Sequence, residues 1–243
     1  MMLPILLVIW LESPIFYIIL LLINVGLYIE AIKLSKYSSS KRTVLITKIF
    51  IITFSSFILV LKINNFLSEF HFFLSLLCFF LISLIIFKNK LFTCFIINLI
   101  FLSSFLSLIL FDNNSQILLY LIIINSVSDI GAYLGGSILK GPKIFPKISP
   151  NKTYSGSICA ILLSILVATS LQFSSNLNIN IFIGLSISLF GQTGDLIESI
   201  YKRKNNVKDS GVFIPGHGGF LDRFDSLLLS IIFIVIPIYF NLI

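Results

Sequence analysis

Charged residues are scarce in this chain. Asp, Glu, Lys and Arg together make up 11% of its 243 residues, whereas hydrophobic types make up 57%. Soluble globular domains carry about 25% charged residues, and the mean hydropathy of +1.07 is far above theirs. Several apolar runs approach or exceed the ~20 residues that a transmembrane helix needs. The composition therefore excludes a soluble domain and predicts an all-α fold, a polytopic bundle of transmembrane helices.

Cysteine and histidine are also rare, with three and two copies. Cys78, Cys94 and Cys159 are scattered through apolar runs, and no pair of them has the close spacing of zinc ligands. We therefore expect no zinc site and interpret the three cysteines as small core side chains.

The apolar runs predict about eight spanning segments. They are residues 14–32, 44–61, 71–87, 91–111, 117–139, 157–172, 180–200 and 227–243. The loops between them alternate between rich and poor in basic residues, and of the 17 Lys and Arg only Lys62 falls on the poor side. The positive-inside rule assigns the rich side to the cytoplasm. The same topology explains the formal net charge of +7, so we expect no nucleic-acid partner.

The polar residues are concentrated in one stretch of the C-terminal half. Half of the ten acidic residues lie between Gly191 and Asp225, with five basic residues, six glycines and one histidine. We therefore predict two regions, N-terminal membrane helices in residues 1–111 and a membrane region that carries the chemistry in residues 112–243.

Asp195 lies near the predicted cytoplasmic end of an apolar helix. A carboxylate at the centre of a membrane helix costs about 2.5–3.5 kcal/mol on insertion scales, and less near the interface. Glu198, Ser199 and Lys202 follow at i+3, i+4 and i+7, so they share its helical face. This face indicates a functional site, and the alternative is an ordinary ion pair between Glu198 and Lys202 at a water interface.

Asp222 and Asp225 are one helical turn apart, just before the last apolar run. With Asp195 from another helix they could bind Mg²⁺, which takes oxygen ligands from one or two carboxylates and from substrate phosphates. The alternative is an acidic first turn that complements the helix dipole.

The segment from Pro215 to Gly219 is rich in glycine, which lets backbone N–H groups approach phosphate oxygens closely. Basic side chains near it are suited to phosphate; they are Lys202, Arg203, Lys208 and Arg223. Glycines, a histidine, bases and paired carboxylates together indicate metal-dependent phosphoryl or nucleotidyl transfer.

A second polar cluster lies in the fifth loop. Asp129 stands within an apolar helix and is followed by small residues over 131–136 that allow close helix packing. Four lysines and the turn Ser149 to Thr153 come next, and this turn is typical of phosphate binding. The alternative for the lysines is membrane topology and attraction to anionic lipid.

These motifs resemble the signature of phosphatidate cytidylyltransferases, also called CDP-diacylglycerol synthases. The matching segments are Ser199 to Arg203, Lys208 to Gly211, Pro215 to Gly219, Asp222 to Asp225, Asp129 to Tyr133 and Ser149 to Thr153. The resemblance covers about residues 128 to 230, and the N-terminal half is similar only in being a set of membrane helices. One position departs from the family pattern, because Ser155 stands where an acid is usual, and we assign it no role.

The resemblance implies a nucleotidyltransferase that converts CTP and phosphatidate to CDP-diacylglycerol and pyrophosphate. It implies an integral protein of a bacterial-type inner membrane, with catalytic loops and the active site facing the cytoplasm. Its partners would be CTP, phosphatidate and the bilayer, and a homodimer is left open.

The resemblance also implies residue roles. The catalytic residues would be Asp195, Asp222, Asp225, Lys202, Arg203 and His217. The substrate-binding residues would be Ser149, Lys152, Thr153, Ser199, Lys208, Asp209, Gly218, Gly219 and Arg223. The ligands of Mg²⁺ would be Asp195, Asp222 and Asp225, with a second cation left open.

Two other functions compete with this interpretation. A CTP-dependent lipid kinase of the polyprenol or phytol type also needs a nucleotide, a metal and a lipid, but transfers the γ-phosphate to an alcohol. A transporter would use Asp129 and Asp195 to line an ion path, and would have no need for the glycine-rich loop.

Overall fold

A computed structural model describes residues 13–34, 69–87, 91–211 and 219–239. Its helices are α1 Ser13–Leu34, α2 Glu69–Ile86, α3 Leu91–Ile138, α4 Tyr154–Leu171, α5 Leu177–Lys204 and α6 Leu221–Tyr239. The predicted span 44–61 lies outside the described residues. Within the described ranges, three helical segments are long and apolar enough to cross a membrane, namely Phe16–Leu34, Gln116–Ile138 and Tyr154–Leu171. The chain is therefore a mostly helical membrane protein, while the number of spans and their orientation stay predictions.

The predicted loop around Asn113 is wrong. Residues Leu91–Ile138 form one continuous helix of 48 residues, so the predicted spans 91–111 and 117–139 belong to a single element. No glycine or proline interrupts the chain between Leu91 and Ile130. An asparagine costs a helix well under about 1 kcal/mol, so polar composition alone does not end the helix here.

The prediction of a purely helical fold also needs a correction between α3 and α4. Strands β1 (Lys143–Phe145) and β2 (Ser149–Thr153) pair antiparallel in a two-stranded hairpin. Proline recurs through this stretch, and proline cannot continue a helix because it lacks an N–H and its ring clashes with the preceding turn. Thr153 ends β2 and caps α4, its Oγ1 accepting the Gly156 N–H at 3.1 Å.

The described residues divide into two compact units. The first unit holds residues 109–200 and 224–239, and the second holds 13–34, 69–87, 91–108, 201–211 and 219–223. The predicted boundary at residue 111 stays a prediction. Aromatic side chains fill the interior of the second unit, where the rings of Phe79 and Phe101 stack with centroids 4.4 Å apart.

Within the first unit, small residues let α3 and α4 pack closely, as the sequence predicted. A Cβ atom at Gly156 would lie 2.5 Å from the Ala132 carbonyl oxygen, and one at Gly135 would lie 2.5 Å from Cys159 Cβ. These distances are below any real Cβ contact, so side chains at either glycine would force the helices apart. The close crossing anchors α4 and with it the hairpin that precedes it.

Candidate functional site

A glycine contact between α5 and α6 creates the candidate site of the first unit. A Cβ atom at Gly194 would overlap the Asp225 carbonyl oxygen and would lie 3.3 Å from Leu229 Cβ. A Cβ atom at Gly191, one turn earlier, would lie 2.5 Å from Asn125 Oδ1. The backbone of α5 therefore lies directly on α6, and Asp195 follows Gly194 at this contact.

Three carboxylates gather at this crossing. One oxygen from each of Asp195, Glu198 and Asp225 lies within 4.8 Å of the others. Glu198 is buried at 2% exposure, whereas the Asp195 side chain is 38% exposed, so the cluster reaches from the protein interior to the surface. Ionised carboxylates this close repel one another unless protons or a cation compensate. Their oxygens are the ligands that hard divalent cations prefer.

Lys152 supplies a positive charge to the same cluster. Its Nζ lies 2.7 Å from Asp195 Oδ2 and donates to the Gln192 carbonyl oxygen at 3.3 Å. Lys152 lies on β2, so the hairpin brings this cation to α5. On the other side, Ser199 Oγ donates to Asp195 Oδ1 at 3.4 Å. Asp195 thus lies between a cation, a hydroxyl and two further acids.

Gln192 connects this cluster to the interior of the first unit. Ser157 Oγ on α4 donates to its Oε1, and its Nε2 donates to Ser188 Oγ at 3.1 Å. Ser188 in turn shares a hydrogen bond of 2.8 Å with Ser128 on α3. Because Gln192 is bonded to α4 directly and to α3 through Ser188, the backbone that carries Asp195 and receives Lys152 is held in place.

Asp222 is bound within the second unit. Its Oδ1 accepts from Lys202 Nζ at 2.6 Å, and its Oδ2 accepts from the backbone N–H groups of Ser210 and Gly219, each at 2.9 Å. Partial burial by itself raises the pKa of the Asp222 carboxyl, but these hydrogen bonds outweigh it and lower the pKa to about 2. Asp222 therefore stays ionised and holds two backbone segments together.

Two acids that the sequence analysis did not assign to the site occupy central places. Glu198, for which an ion pair with Lys202 was the alternative to a functional role, belongs to the carboxylate cluster, and Lys202 binds Asp222. Glu30 on α1 is 3% exposed and accepts hydrogen bonds from Ser210 Oγ and the Leu221 N–H. An acid in an apolar helix was a usable signal for Glu30, because such residues are costly unless they have partners.

The other predicted site residues have varied surroundings. Arg203, Lys208, Asp209 and Arg223 are exposed on the second unit. Arg203 Nη1 donates to the Val207 carbonyl oxygen at 3.1 Å. Gly219 is buried and Ser149 is half-buried. His217 and Gly218 lie outside the described residues.

Two of the three predicted magnesium ligands belong to the carboxylate cluster. Asp195 and Asp225 lie together with Glu198, and these three are the carboxylates that could hold one ion among the residues that the structure describes. The carboxylate of Asp222 is engaged by Lys202 and two backbone N–H groups. A metal role for Asp222 stays a prediction.

Similarity to known proteins is consistent with this chemistry. The profile of the cytidylyltransferase family matches residues 1–241. A protein of Rickettsia bellii (strain RML369-C) named phosphatidate cytidylyltransferase is 44% identical over 161 residues, which cover 59% of this chain and 69% of that protein.

Staphylococcal proteins of the same name match a shorter stretch. The one from Staphylococcus aureus (strain COL) is 46% identical over 115 residues, and the one from Staphylococcus epidermidis (strain ATCC 35984) is 47% identical over 115 residues. Each match covers 46% of this chain and 44% of the staphylococcal protein, so it spans less than half of these relatives. Because the family profile matches nearly the whole sequence, the chain belongs to the cytidylyltransferase family.

Proposed function

We propose that this protein transfers CMP from CTP to phosphatidate, giving CDP-diacylglycerol and pyrophosphate in phospholipid biosynthesis. The names of the relatives support this substrate pair. The structural observation that carries the proposal is the cluster of Asp195, Glu198 and Asp225 beside Lys152. With a divalent cation bound between the carboxylates, such a site could bind and neutralise the phosphates of two anionic substrates at one place.

The reaction requires no protein nucleophile. A phosphate oxygen of phosphatidate attacks the α-phosphorus of CTP and forms a new P–O bond, while the bond from that phosphorus to the bridging oxygen breaks and releases pyrophosphate. Both reactants are anions, so the protein has to bring them together, align the attack and compensate charge. We assign part of this charge compensation to Lys152, whose ammonium group is held by Asp195.

The donor set of the cluster fits Mg²⁺. Three carboxylate oxygens from α5 and α6 lie within 4.8 Å of one another, and Mg²⁺ is usually bound by one or two carboxylates together with substrate phosphates. Asp195 and Asp225 would hold the ion, and Glu198 would add a third oxygen. When bound, the ion supplies Lewis-acid stabilisation of phosphate charge. A second cation stays a prediction.

Cationic side chains on the second unit are further candidates for phosphate binding. Arg203, Lys208 and Arg223 are exposed, and guanidinium and ammonium groups are the natural partners of phosphate. Lys202 is bound by Asp222, which keeps its ammonium group in a defined position. We propose that these residues bind nucleotide or lipid phosphates, with Ser149 and Thr153 as further predicted contacts.

We propose further that the carboxylate cluster opens toward the cytoplasm. The lysines of the loop that carries Lys152 support this orientation through the positive-inside rule. CTP would then arrive from the cytoplasm and phosphatidate from the adjacent leaflet. A homodimer stays an open prediction.

The decisive experiment follows the label of CTP into lipid. Purified protein in mixed micelles should convert α-labelled CTP to labelled lipid when both phosphatidate and Mg²⁺ are present. With γ-labelled CTP, no label should enter the lipid. Transfer of the γ-label to a lipid alcohol would instead identify a kinase. Absence of both products would contradict a transferase.

Removing the charge of Lys152 should slow the reaction. We expect Lys152→Met to lower kcat/KM for CMP transfer by about 10- to 100-fold, because hydrogen bonds to charged groups contribute about 1.5–3 kcal/mol. The matched control is Lys147→Met, which removes an exposed lysine from the turn of the same hairpin. We expect this control to stay within about twofold of wild type. Equal activities of the two variants would exclude a role of Lys152 in the site.

A further inference from the structure

Glu30 is a buried acid in a candidate membrane span, and along the sequence it is far from the polar motifs of the C-terminal half. It lies in Phe16–Leu34, and its side chain is 3% exposed. Its Oε2 accepts two hydrogen bonds of 2.9 Å, one from Ser210 Oγ and one from the Leu221 N–H. Ser210 is 180 positions away in the chain. Burying a carboxylate is costly, so its hydrogen bonds to this distant segment indicate a specific task.

The backbone around Glu30 is built to fit the carboxylate. A Cβ atom at Gly211 would lie 2.6 Å from Glu30 Oε1, and one at Gly219 would overlap both Ser210 Oγ and Glu30 Oε2. Glycine at these two positions lets both backbone segments, 210–211 and 219–221, lie against one side chain. The carboxylate thus joins the two flanks of the glycine-rich segment.

Asp222 binds the same two flanks from a second direction. Ser210 donates through its N–H to Asp222 and through its Oγ to Glu30, while Gly219 N donates to Asp222 and Leu221 N donates to Glu30. Lys202 Nζ completes the arrangement at 2.6 Å from Asp222 Oδ1. We name these two acids and their shared backbone segments the double carboxylate clamp.

We propose that Glu30 is a positioning residue for the transfer reaction. Through the clamp it fixes the flanks of the glycine-rich segment, and so the orientation of Asp222 and Lys202, without touching a substrate. This inference rests on the proposed function, because the effect of the clamp is measured in CMP transfer. It assigns a specific task to a residue of the N-terminal half, outside the polar motifs of the C-terminal half.

The test combines amide exchange with turnover. In Glu30→Ala the Leu221 N–H loses its acceptor, so we expect the peptide containing Leu221 to exchange at least about 10-fold faster. We expect kcat for incorporation of α-labelled CMP to fall by about 10- to 100-fold, because small misplacements of positioned groups cost factors of this size. Glu30→Gln retains a carbonyl acceptor and should recover part of both losses. Ser210→Ala removes one bond and should give a smaller loss in the same direction.

Asn24→Ala is the matched control for a merely structural effect. Asn24 lies on the same helix and is equally buried at 2% exposure, and its side-chain atoms have no hydrogen-bond partner among the described residues. We expect kcat and the exchange near Leu221 to stay within about twofold of wild type in this variant. Equal losses of kcat in Asn24→Ala and Glu30→Ala would overturn the positioning role, as would faster exchange in Glu30→Ala with wild-type kcat.

Failure of the two proposals can be told apart. Wild-type protein that incorporates no CMP would overturn the proposed function and the positioning role together. Wild-type protein that is active, with Glu30→Ala, Glu30→Gln and Ser210→Ala equally active, would overturn the positioning role alone. Partial recovery by Glu30→Gln with slow exchange would support the clamp.

Discussion

We expect Asp225→Asn to lower kcat/KM for CMP transfer by at least about 1000-fold in a protein that still inserts and folds. The amide has nearly the same shape but no charge, so the cluster with Asp195 and Glu198 loses one of its three anionic oxygens. Lewis-acid stabilisation by a metal contributes several kcal/mol, and each 1.36 kcal/mol is a factor of ten in rate. We also expect the Mg²⁺ concentration for half-maximal activity to rise. The measurement is incorporation of α-labelled CTP into lipid over a Mg²⁺ titration.

A structural substitution on the same helix serves as the control for this prediction. Ser230 is fully buried on α6 and accepts a hydrogen bond of 2.9 Å from Asn125 Nδ2. Ser230→Ala should reduce stability by about 1 kcal/mol and leave kcat within a few-fold of wild type. A folded Asp225→Asn protein with wild-type turnover and an unchanged Mg²⁺ titration would refute the assigned metal role.

We expect Gly194→Val to lower activity strongly through helix packing, without changing a polar group. The valine Cβ would overlap the Asp225 carbonyl oxygen, so α5 and α6 have to move apart. Overpacking costs about 1–3 kcal/mol in stability, but the larger effect falls on catalysis, because a shift of about 1 Å in a positioned site costs around 100-fold in rate. We expect a loss of at least this size in kcat, measured by the same labelled assay.

The neighbouring residue provides the matched control. Thr193 is exposed on α5, and its Oγ1 donates only to the Phe190 carbonyl oxygen in the same helix. Thr193→Val introduces the same side chain one position away, and we expect activity within about twofold of wild type. If both valine variants kept full activity, the close contact at Gly194 would be irrelevant to the site.

The local sequence was sufficient to predict several residues of the candidate site. The cost of an acid in an apolar helix marked Asp195, and the one-turn spacing from Asp222 marked Asp225. The structure brings Asp195 and Asp225 together. The small residues that follow Asp129 predicted the close packing of α3 and α4 correctly. The same reasoning failed at Asn113, because polar residues without glycine or proline do not end a helix.

Residues whose partners are distant in sequence were harder to interpret. The spacing of Glu198 and Lys202 along one helix did not indicate that Lys202 binds Asp222 or that Glu198 lies with Asp225. Glu30 has no local motif at all, since its partners Ser210 and Leu221 are far along the chain. Helical periodicity describes neighbours on one element and carries no information on which element packs against it.

The sequence by itself determined that this is a mostly helical membrane protein and marked where its polar residues concentrate, because hydropathy and the cost of charge in an apolar helix depend on composition and short-range order. Only the tertiary structure decided which carboxylates share a site and which act as a clamp. This arrangement of the carboxylates depends on the close contact at Gly194 and on the backbone segments beside Glu30. At the second place, atoms separated by many residues are brought within hydrogen-bond distance.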